Sequence, residues 1–171
     1  MRSSCAPYKG CKTGGRKYQP NSSAVAILGE NTNGISGKVL FTQSSKKGVK
    51  IEYEIHGLTD GKHGFHIHEY GDLSDGCKSA CSHFNPFGKD HGNHAGDLGN
   101  ISSSNGIAKG RIDSKILSLD FMNITCIIGR MIIVHKDEDD LGLGGNEESL
   151  ITGNAGERVA CGVIGLTHLK I

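Results

Sequence analysis

Alternation of apolar and polar side chains is the feature of this sequence that most limits its fold. In the stretch GVKIEYEIHGL, every second residue is apolar, and the residues between them are charged or histidine. The apolar positions are Val49, Ile51, Tyr53 and Ile55. Because successive side chains of a β-strand point to opposite faces, this period of two predicts a strand with one buried and one solvated face.

Seven further runs have the same character and are separated by glycine, asparagine and aspartate. They are AVAILGE, GISGKVLFTQ, GKHGFHIHEY, GDLGNISSS, GIAKGRIDSKIL, IIGRMIIVHK and RVACGVIGLTHLK. The chain has 26 glycines among 171 residues, about twice the usual share, as expected for many tight turns. Eight strands without a convincing helix predict an antiparallel sandwich or barrel. Residues 73–96 and 137–156 are too long for simple connections, so we expect these two loops to be functional.

The N-terminal residues 1–23 have a different composition from the rest. The first twenty contain five basic residues and no acidic one, which predicts a flexible basic tail before a single domain at 24–171. Cys5 and Cys11 lie too far apart for a CxxC pair and are weak metal candidates. A net charge of +1 gives no reason to expect a nucleic-acid partner.

Targeting segments are not evident in the sequence. No stretch resembles the apolar core of a signal peptide, and none approaches the ~20 apolar residues of a membrane span. We therefore expect a cytoplasmic protein that does not contact a membrane.

Histidines are concentrated in the middle of the chain. His66 and His68 are two residues apart on a predicted strand, so their imidazoles share one face. The loop that follows has three histidines and one aspartate within fifteen residues: His83, His91, His94 and Asp97. Three imidazoles and a carboxylate form a tetrahedral set that suits zinc. The alternatives are an incidental surface pair of histidines and a merely polar loop.

Five stretches of the sequence resemble the copper/zinc superoxide dismutase family. They are GFHIHEYGD, HFNP, HAGD followed by LGN, IIGRMIIVHKDEDDLGLGGNEES and TGNAGERVACGVIG, in the family's order. The resemblance covers about residues 24–171. It implies an eight-stranded antiparallel Greek-key barrel and an enzyme that converts superoxide to dioxygen and hydrogen peroxide by alternating Cu(II) and Cu(I).

The resemblance also assigns roles to individual residues. The implied copper ligands are His66, His68, His83 and His135. The implied zinc ligands are His83, His91, His94 and Asp97, so that His83 bridges both metals and delivers a proton. Asp139 corresponds to the aspartate that links a copper histidine to a zinc histidine, and Arg158 corresponds to the arginine that docks the substrate anion.

The resemblance sorts the cysteines of the domain as well. It implies a disulfide between Cys77 and Cys161, which is unusual for a cytoplasmic protein. Cys81 lies four residues from Cys77 and is a possible rival partner. Cys126 is expected to be a free thiol.

The sequence also departs from the family's pattern. His91 and His94 are only three residues apart, so the zinc loop is shorter than usual. Near the active-site mouth, where the family often has lysines, this chain has Asp137, Leu143 and Ile151. We therefore expect weaker electrostatic steering, with Lys136 as the one candidate to compensate. The channel residues Glu147, Glu148 and Thr152 are retained, and an insertion near SLDFMNIT lengthens one turn.

Two other functions are alternatives to an active dismutase. A dismutase-like copper-binding or copper-chaperone domain would generally lack part of the copper set or the arginine. A copper-only variant would lack the zinc ligands. The family further implies a homodimer and a copper chaperone that loads the metal.

Overall fold

The computed structural model describes residues 22–29, 34–44 and 48–168. These contain ten strands: β1 Ser23–Leu28, β2 Ser36–Gln43, β3 Val49–His56, β4 Gly61–His68, β5 Ser74–Cys77, β6 Asp97–Ser104, β7 Ile107–Ser114, β8 Met131–His135, β9 Arg158–Val163 and β10 Gly165–Thr167. A 3₁₀ turn at Lys78–Ala80 and a short helix, α1, at Ser149–Thr152 lie in the two long loops. The predicted tail lies outside the described residues, apart from its last two positions.

Nine of these strands form one antiparallel sheet in the order β10-β1-β2-β3-β7-β6-β4-β8-β9. Because β9 and β10 are consecutive in the chain and stand at opposite ends of this order, the sheet curls into a nearly closed barrel. The chain passes from β3 to β4 across the barrel end, since β3 pairs with β7 and β4 pairs with β6 and β8. This architecture confirms the predicted antiparallel Greek-key barrel.

All eight predicted runs form strands, but the last run is divided in two. Ile164 separates β9 from β10 because its main-chain groups bond to the preceding loop: Gly129 N donates to Ile164 O, and Ile164 N donates to Arg130 O. The tenth strand, β5, lies inside the first long loop, where no alternating pattern marks it.

Side-chain alternation packs one face of each strand into the barrel. Buried residues such as Phe41, Ile51 and Ile101 have no exposed surface, and the rings of Tyr53 and Phe65 lie 5.5 Å apart. Strand β4 is different, because all six residues from 63 to 68 are buried. One face of β4 points into the core, and the two long loops cover the other face.

Membrane-spanning helices are not found among the described residues. The two helical segments have three and four residues, and neither is long and apolar enough to cross a bilayer.

Candidate metal centre

Four buried histidines meet on the covered face of β4, and we call them the four-histidine group: His66, His68, His83 and His135. Strand β8 pairs with β4 and ends at His135. The first long loop returns to β4 through a bridge between His68 and His83. One ring nitrogen from each of the four lies within 4.8 Å of the others.

Hydrogen bonds fix the ring orientation of the three strand-borne histidines. His66 donates from Nε2 to Asp139 Oδ2 at 2.8 Å, and His68 donates from Nδ1 to the Cys81 carbonyl at 2.8 Å. His135 donates from Nδ1 to the Gly156 carbonyl at 3.1 Å. Each ring therefore keeps its proton on the outer nitrogen and presents the other nitrogen as a lone pair.

The inward nitrogens of this group have the properties of metal ligands. His66 Nδ1 and His83 Nε2 are buried without a hydrogen-bond partner, which is costly unless a ligand satisfies them. The Nε2 atoms of His68 and His135 lie 3.4 Å apart. Burial, with repulsion from neighbouring histidines, lowers the pKa of His68 to about 2, of His135 to about 3 and of His83 to about 4. These rings are therefore neutral at pH 7, as metal binding requires.

A second set shares His83 with the first, and we call it the mixed group: His83, His91, His94 and Asp97. Its atoms converge on Asp97 Oδ1, which lies 2.9 Å from His83 Nδ1, 3.3 Å from His91 Nδ1 and 3.2 Å from His94 Nδ1. Ligands bonded at about 2.0–2.1 Å to one tetrahedral ion lie about 3.3 Å apart. The spacing of the mixed group therefore suits zinc.

Main-chain amides orient the carboxylate of the mixed group. Asp97 Oδ2 accepts hydrogen bonds from Gly92 N at 2.8 Å and His94 N at 3.0 Å. Burial raises the pKa of Asp97, but the hydrogen bonds of the three imidazoles outweigh it and lower the pKa well below its ordinary value. Asp97 is therefore a carboxylate whose Oδ1 is left for a ligand.

The carboxylate of Asp139 accepts a hydrogen bond from one histidine of each group. Its Oδ1 accepts from His91 Nε2 and its Oδ2 from His66 Nε2, both at 2.8 Å. The main chain of Asp139 bonds twice to the side chain of Asn100 on β6. Burial opposes ionisation, but the two imidazoles lower the pKa of Asp139, and the carboxylates of Asp139 and Asp97 raise the pKa of His91 to about 9 against the effect of burial.

Arg158 stands beside the four-histidine group. It is paired with His135 across the β8–β9 ladder. Its guanidinium donates to three main-chain carbonyls, those of Cys77, Lys78 and Cys81. Burial lowers the pKa of Arg158, although the group stays cationic at pH 7. The arginine is thus a fixed charge next to the rings.

A cleft of about 400 Å³ opens over these residues. The cleft is lined by His68, Ser82, His83, His135, Glu148, Ile151, Thr152, Asn154, Gly156 and Arg158. Of the predicted channel residues, Glu148 and Thr152 line it and are joined by a 2.6 Å bond from Thr152 Oγ1 to Glu148 Oε1, whereas Glu147 is not among the lining residues.

Leu143 and Ile151 are apolar residues at positions where the family often has lysines. Ile151 lines the cleft and is 52% exposed, whereas Leu143 is 82% exposed and is not among the lining residues. Lys136 pairs with Glu157 at 3.6 Å and does not line the cleft. Arg158 is therefore the one cation among the described lining residues.

The cysteines pair as the family resemblance implied. Cys77 and Cys161 form a disulfide across 84 residues, which ties the first long loop to β9. Cys81, the possible rival, is an exposed free thiol, and Cys126 is a half-buried free thiol. Cys5 and Cys11 lie outside the described residues.

Sequence reasoning did not identify three partners that orient the rings. Two of them are main-chain carbonyls, at Cys81 and Gly156, which any residue type could supply. The third is Asn100, whose amide holds the main chain of Asp139. No side-chain pattern marks the carbonyls, whereas the place of Asn100 in the LGN stretch, directly after the ligand-bearing HAGD, is a signal that could identify it.

Comparisons with known proteins agree with this geometry. The family model described as copper/zinc superoxide dismutase matches residues 35–164. A Cu-Zn superoxide dismutase of Paramecium bursaria Chlorella virus 1 is 53% identical over 151 residues, which are 84% of this chain and 78% of that protein. Those of Candida glabrata and Saccharomyces cerevisiae are 51% and 47% identical over 154 residues, each covering 85% of this chain and 98% of the relative.

These matches confirm the family that the sequence motifs predicted, and with it an oxidoreductase that uses copper and zinc. The chain belongs to the copper/zinc superoxide dismutase family.

Proposed function

We propose that the four-histidine group holds copper, that the mixed group holds zinc, and that the residues around the cleft guide superoxide to the copper side. The observation that carries this assignment is the position of His83, which directs Nε2 into one group and Nδ1 into the other. A single ring shared in this way would let one imidazole serve as a ligand in both groups.

The two metals divide the chemistry. When bound, copper supplies one-electron redox chemistry, whereas zinc is redox-silent and fixes geometry. His83 lines the cleft, and its Nε2 is the atom that holds and delivers a proton to reduced substrate. Burial, with repulsion from neighbouring histidines, lowers the pKa of His83 to about 4, so a proton held on Nε2 is readily given up to substrate.

Arg158 docks the substrate anion in this proposal. Its guanidinium is fixed by three carbonyls beside His135, so positive charge is aimed at the cleft before substrate arrives. Thr152 forms part of the cleft lining, and its hydroxyl is committed to Glu148. With Ile151 at the mouth and no lysine in the lining, long-range attraction of the anion is weaker than in relatives that have lysines there.

The dismutation rate of metal-loaded protein, with metal content measured in the same sample, tests the proposal. We expect one copper and one zinc per chain and a rate that approaches the diffusional ceiling of about 10⁸–10⁹ M⁻¹s⁻¹. Arg158→Gln should lower the rate about tenfold, whereas Arg111→Gln should not, because Arg111 is exposed and pairs with Asp113 outside the cleft. Negligible turnover at full occupancy of both metals would favour a metal-binding or chaperone-like role instead.

A homodimer is the assembly that we propose. Exposed apolar side chains on β1, on β10 and after β4 support it: Ile27 at 63%, Leu166 at 58% and Tyr70 at 53%. Strands β1 and β10 are paired, so Ile27 and Leu166 lie on neighbouring strands. Exposed apolar patches mark interfaces. Sedimentation equilibrium should give twice the chain mass, and Leu166→Glu should reduce it to that of one chain; a monomeric unaltered chain would contradict the dimer.

The remaining proposals concern the domain boundary, the copper-loading partner and the cellular location. We propose that residues 24–171 form the catalytic domain, so that deletion of residues 2–22 leaves dismutation unchanged. A copper chaperone is the proposed loading partner, and the cytoplasm is the proposed location. Cell fractionation and the copper content of protein from chaperone-deficient cells test these two points.

A further inference from the structure

Two glycines make reciprocal close contacts between the long loops. A β-carbon on Gly92 would lie 2.6 Å from the Leu141 carbonyl oxygen, and one on Gly142 would lie 2.6 Å from the His91 carbonyl oxygen. Both glycines have positive φ, +89° and +79°, which other residues adopt at a cost. The two main chains therefore meet at a distance that leaves no room for a side chain on either.

These contacts hold the turn at residues 91–97, which carries candidate ligands, against the loop at 137–156. We call the paired contacts of Gly92 with Leu141 and of Gly142 with His91 the glycine seat. A third connection lies beside them, because His91 N donates to the Leu150 carbonyl at 2.9 Å. The seat brings His91 within reach of Asp139, which also belongs to the loop at 137–156. The position of the turn is thus set by main-chain contacts as well as by the histidine side chain.

The seated turn holds Asp97 by main-chain hydrogen bonds. Gly92 N and His94 N both donate to Asp97 Oδ2, at 2.8 and 3.0 Å. Only two residues separate His91 from His94, so both amides face the same carboxylate oxygen. The other oxygen, Oδ1, is left to face the three imidazoles.

We infer that the reciprocal contact of Gly92 and Gly142 presets Asp97 for zinc, which makes these two glycines positioning residues of the mixed group. This inference rests on the zinc role proposed above. A side chain at either glycine would push the turn off its seat and rotate the carboxylate away from the imidazoles.

Four glycine-to-alanine variants test the inference at one fixed pH. Gly92→Ala and Gly142→Ala add a methyl group at the contact. Gly88→Ala and Gly145→Ala are matched controls in the same two loops, since both glycines have positive φ, +58° and +75°, but a β-carbon there meets no atom within 4 Å. The readouts are the visible spectrum of cobalt(II) added in place of zinc, zinc affinity by competition with a chromophoric chelator, and the thermal midpoint.

We expect the two contact variants to bind zinc about 10–100-fold more weakly and to alter the tetrahedral cobalt spectrum, as is typical when support of metal ligands is lost. The controls should bind zinc within about threefold of the unaltered chain and keep its cobalt spectrum. Their thermal midpoints should still fall, because alanine at a positive φ strains the main chain.

Equal affinity in all four variants would overturn the inference, as would equal losses in the controls. Unfolding of both contact variants would also overturn it, because the contact would then serve the fold rather than the metal turn. Failure of the unaltered chain to bind cobalt or zinc would instead refute the proposed zinc role.

Discussion

The four-histidine group and the mixed group share one ring but are built from different parts of the chain. Three of the four histidines in the first group lie on β4 and β8, two strands that are paired with each other and have a further strand on their outer sides. The mixed group takes His83, His91 and His94 from the first long loop and Asp97 from the start of β6. Strand ladders place the first set, whereas side-chain and main-chain contacts between loops place the second.

This difference shows how one centre can combine a rigid side with an adjustable side. The strand-borne rings need only one hydrogen bond each to fix their orientation. The mixed group needs Asp139, two amides and a glycine seat. We therefore expect perturbations of the loops to affect zinc binding before copper binding.

Removal of the disulfide should give the largest effect and would break the comparison most directly. Cys77→Ser with Cys161→Ser frees the loop whose Cys81 carbonyl orients His68. In the chain-entropy model, a closed loop of this length contributes about 4–5 kcal/mol of stability. Urea unfolding at equilibrium measures it. Cys126→Ser is the control, since this thiol is unpaired, and an equal loss there would contradict the prediction.

Acid and base should destabilise the metal-free protein through different groups. His68, His83 and His135 have pKa values lowered below the ordinary 6.5, so they contribute stability that is lost as pH falls below 6.5. Each costs about 1.4 kcal/mol per pH unit down to its folded-state pKa, or about 2 kcal/mol at pH 5. The raised pKa of His91 has the opposite sign: its contribution is complete below pH 6.5 and is lost as pH rises to about 9.

Urea midpoints of metal-free protein between pH 4.5 and 9.5 test this opposition. His135→Gln should flatten the acid limb, and His91→Gln should flatten the alkaline limb. The carboxylates of Asp97 and Asp139 contribute little to the slope, because an unfolded-state aspartate is only about one fifth protonated at about pH 4.5 and almost fully ionised above about pH 5.5. An alkaline limb that survives His91→Gln would contradict the assignment.

Asp139→Asn should separate the two groups. The amide cannot accept from both His66 and His91, and His91 lies on a loop whereas His66 is held in β4. We expect zinc affinity to fall about 10–100-fold and copper affinity to fall less. Competition titrations with each metal measure both. Glu138→Gln is the control, because Glu138 is exposed and pairs with the exposed Lys62; an equal fall for copper would contradict the comparison.

Ile151→Lys should give the smallest effect and would sharpen the account of the cleft. A second cation at the mouth should raise kcat/KM about two- to fivefold at low ionic strength and have little effect at high salt. Leu143→Lys, outside the cleft lining, should change the rate less. A gain that persists at high salt would exclude steering as its cause.

The sequence predicted the barrel because its strands alternate visibly, and the family's motifs led to the residues that the structure brings together in the four-histidine and mixed groups. Asp139 could be chosen from the run DEDD only by its place in the motif. Strand β5 and α1 have four residues each and are too short for a period to be read.

The contacts that orient the centre could not be predicted, because many of them are made by main chain. The carbonyls of Cys81 and Gly156 depend on the path of the loop and not on side-chain type. The seat between Gly92 and Leu141 depends on how two distant loops meet, and glycine alone predicts only a turn.

The three carbonyls that hold Arg158 have a consequence for the time available to substrate. An arginine that is free in solvent loses about 0.5–1.5 kcal/mol of rotamer entropy when it closes on an anion. Arg158 is ordered before the encounter, because the turn at residues 77–81 already confines its guanidinium. If Arg158 docks the substrate anion as proposed, a short-lived collision is productive without waiting for a side chain to find its rotamer, which would preserve rate in a cleft whose described lining has no other cation.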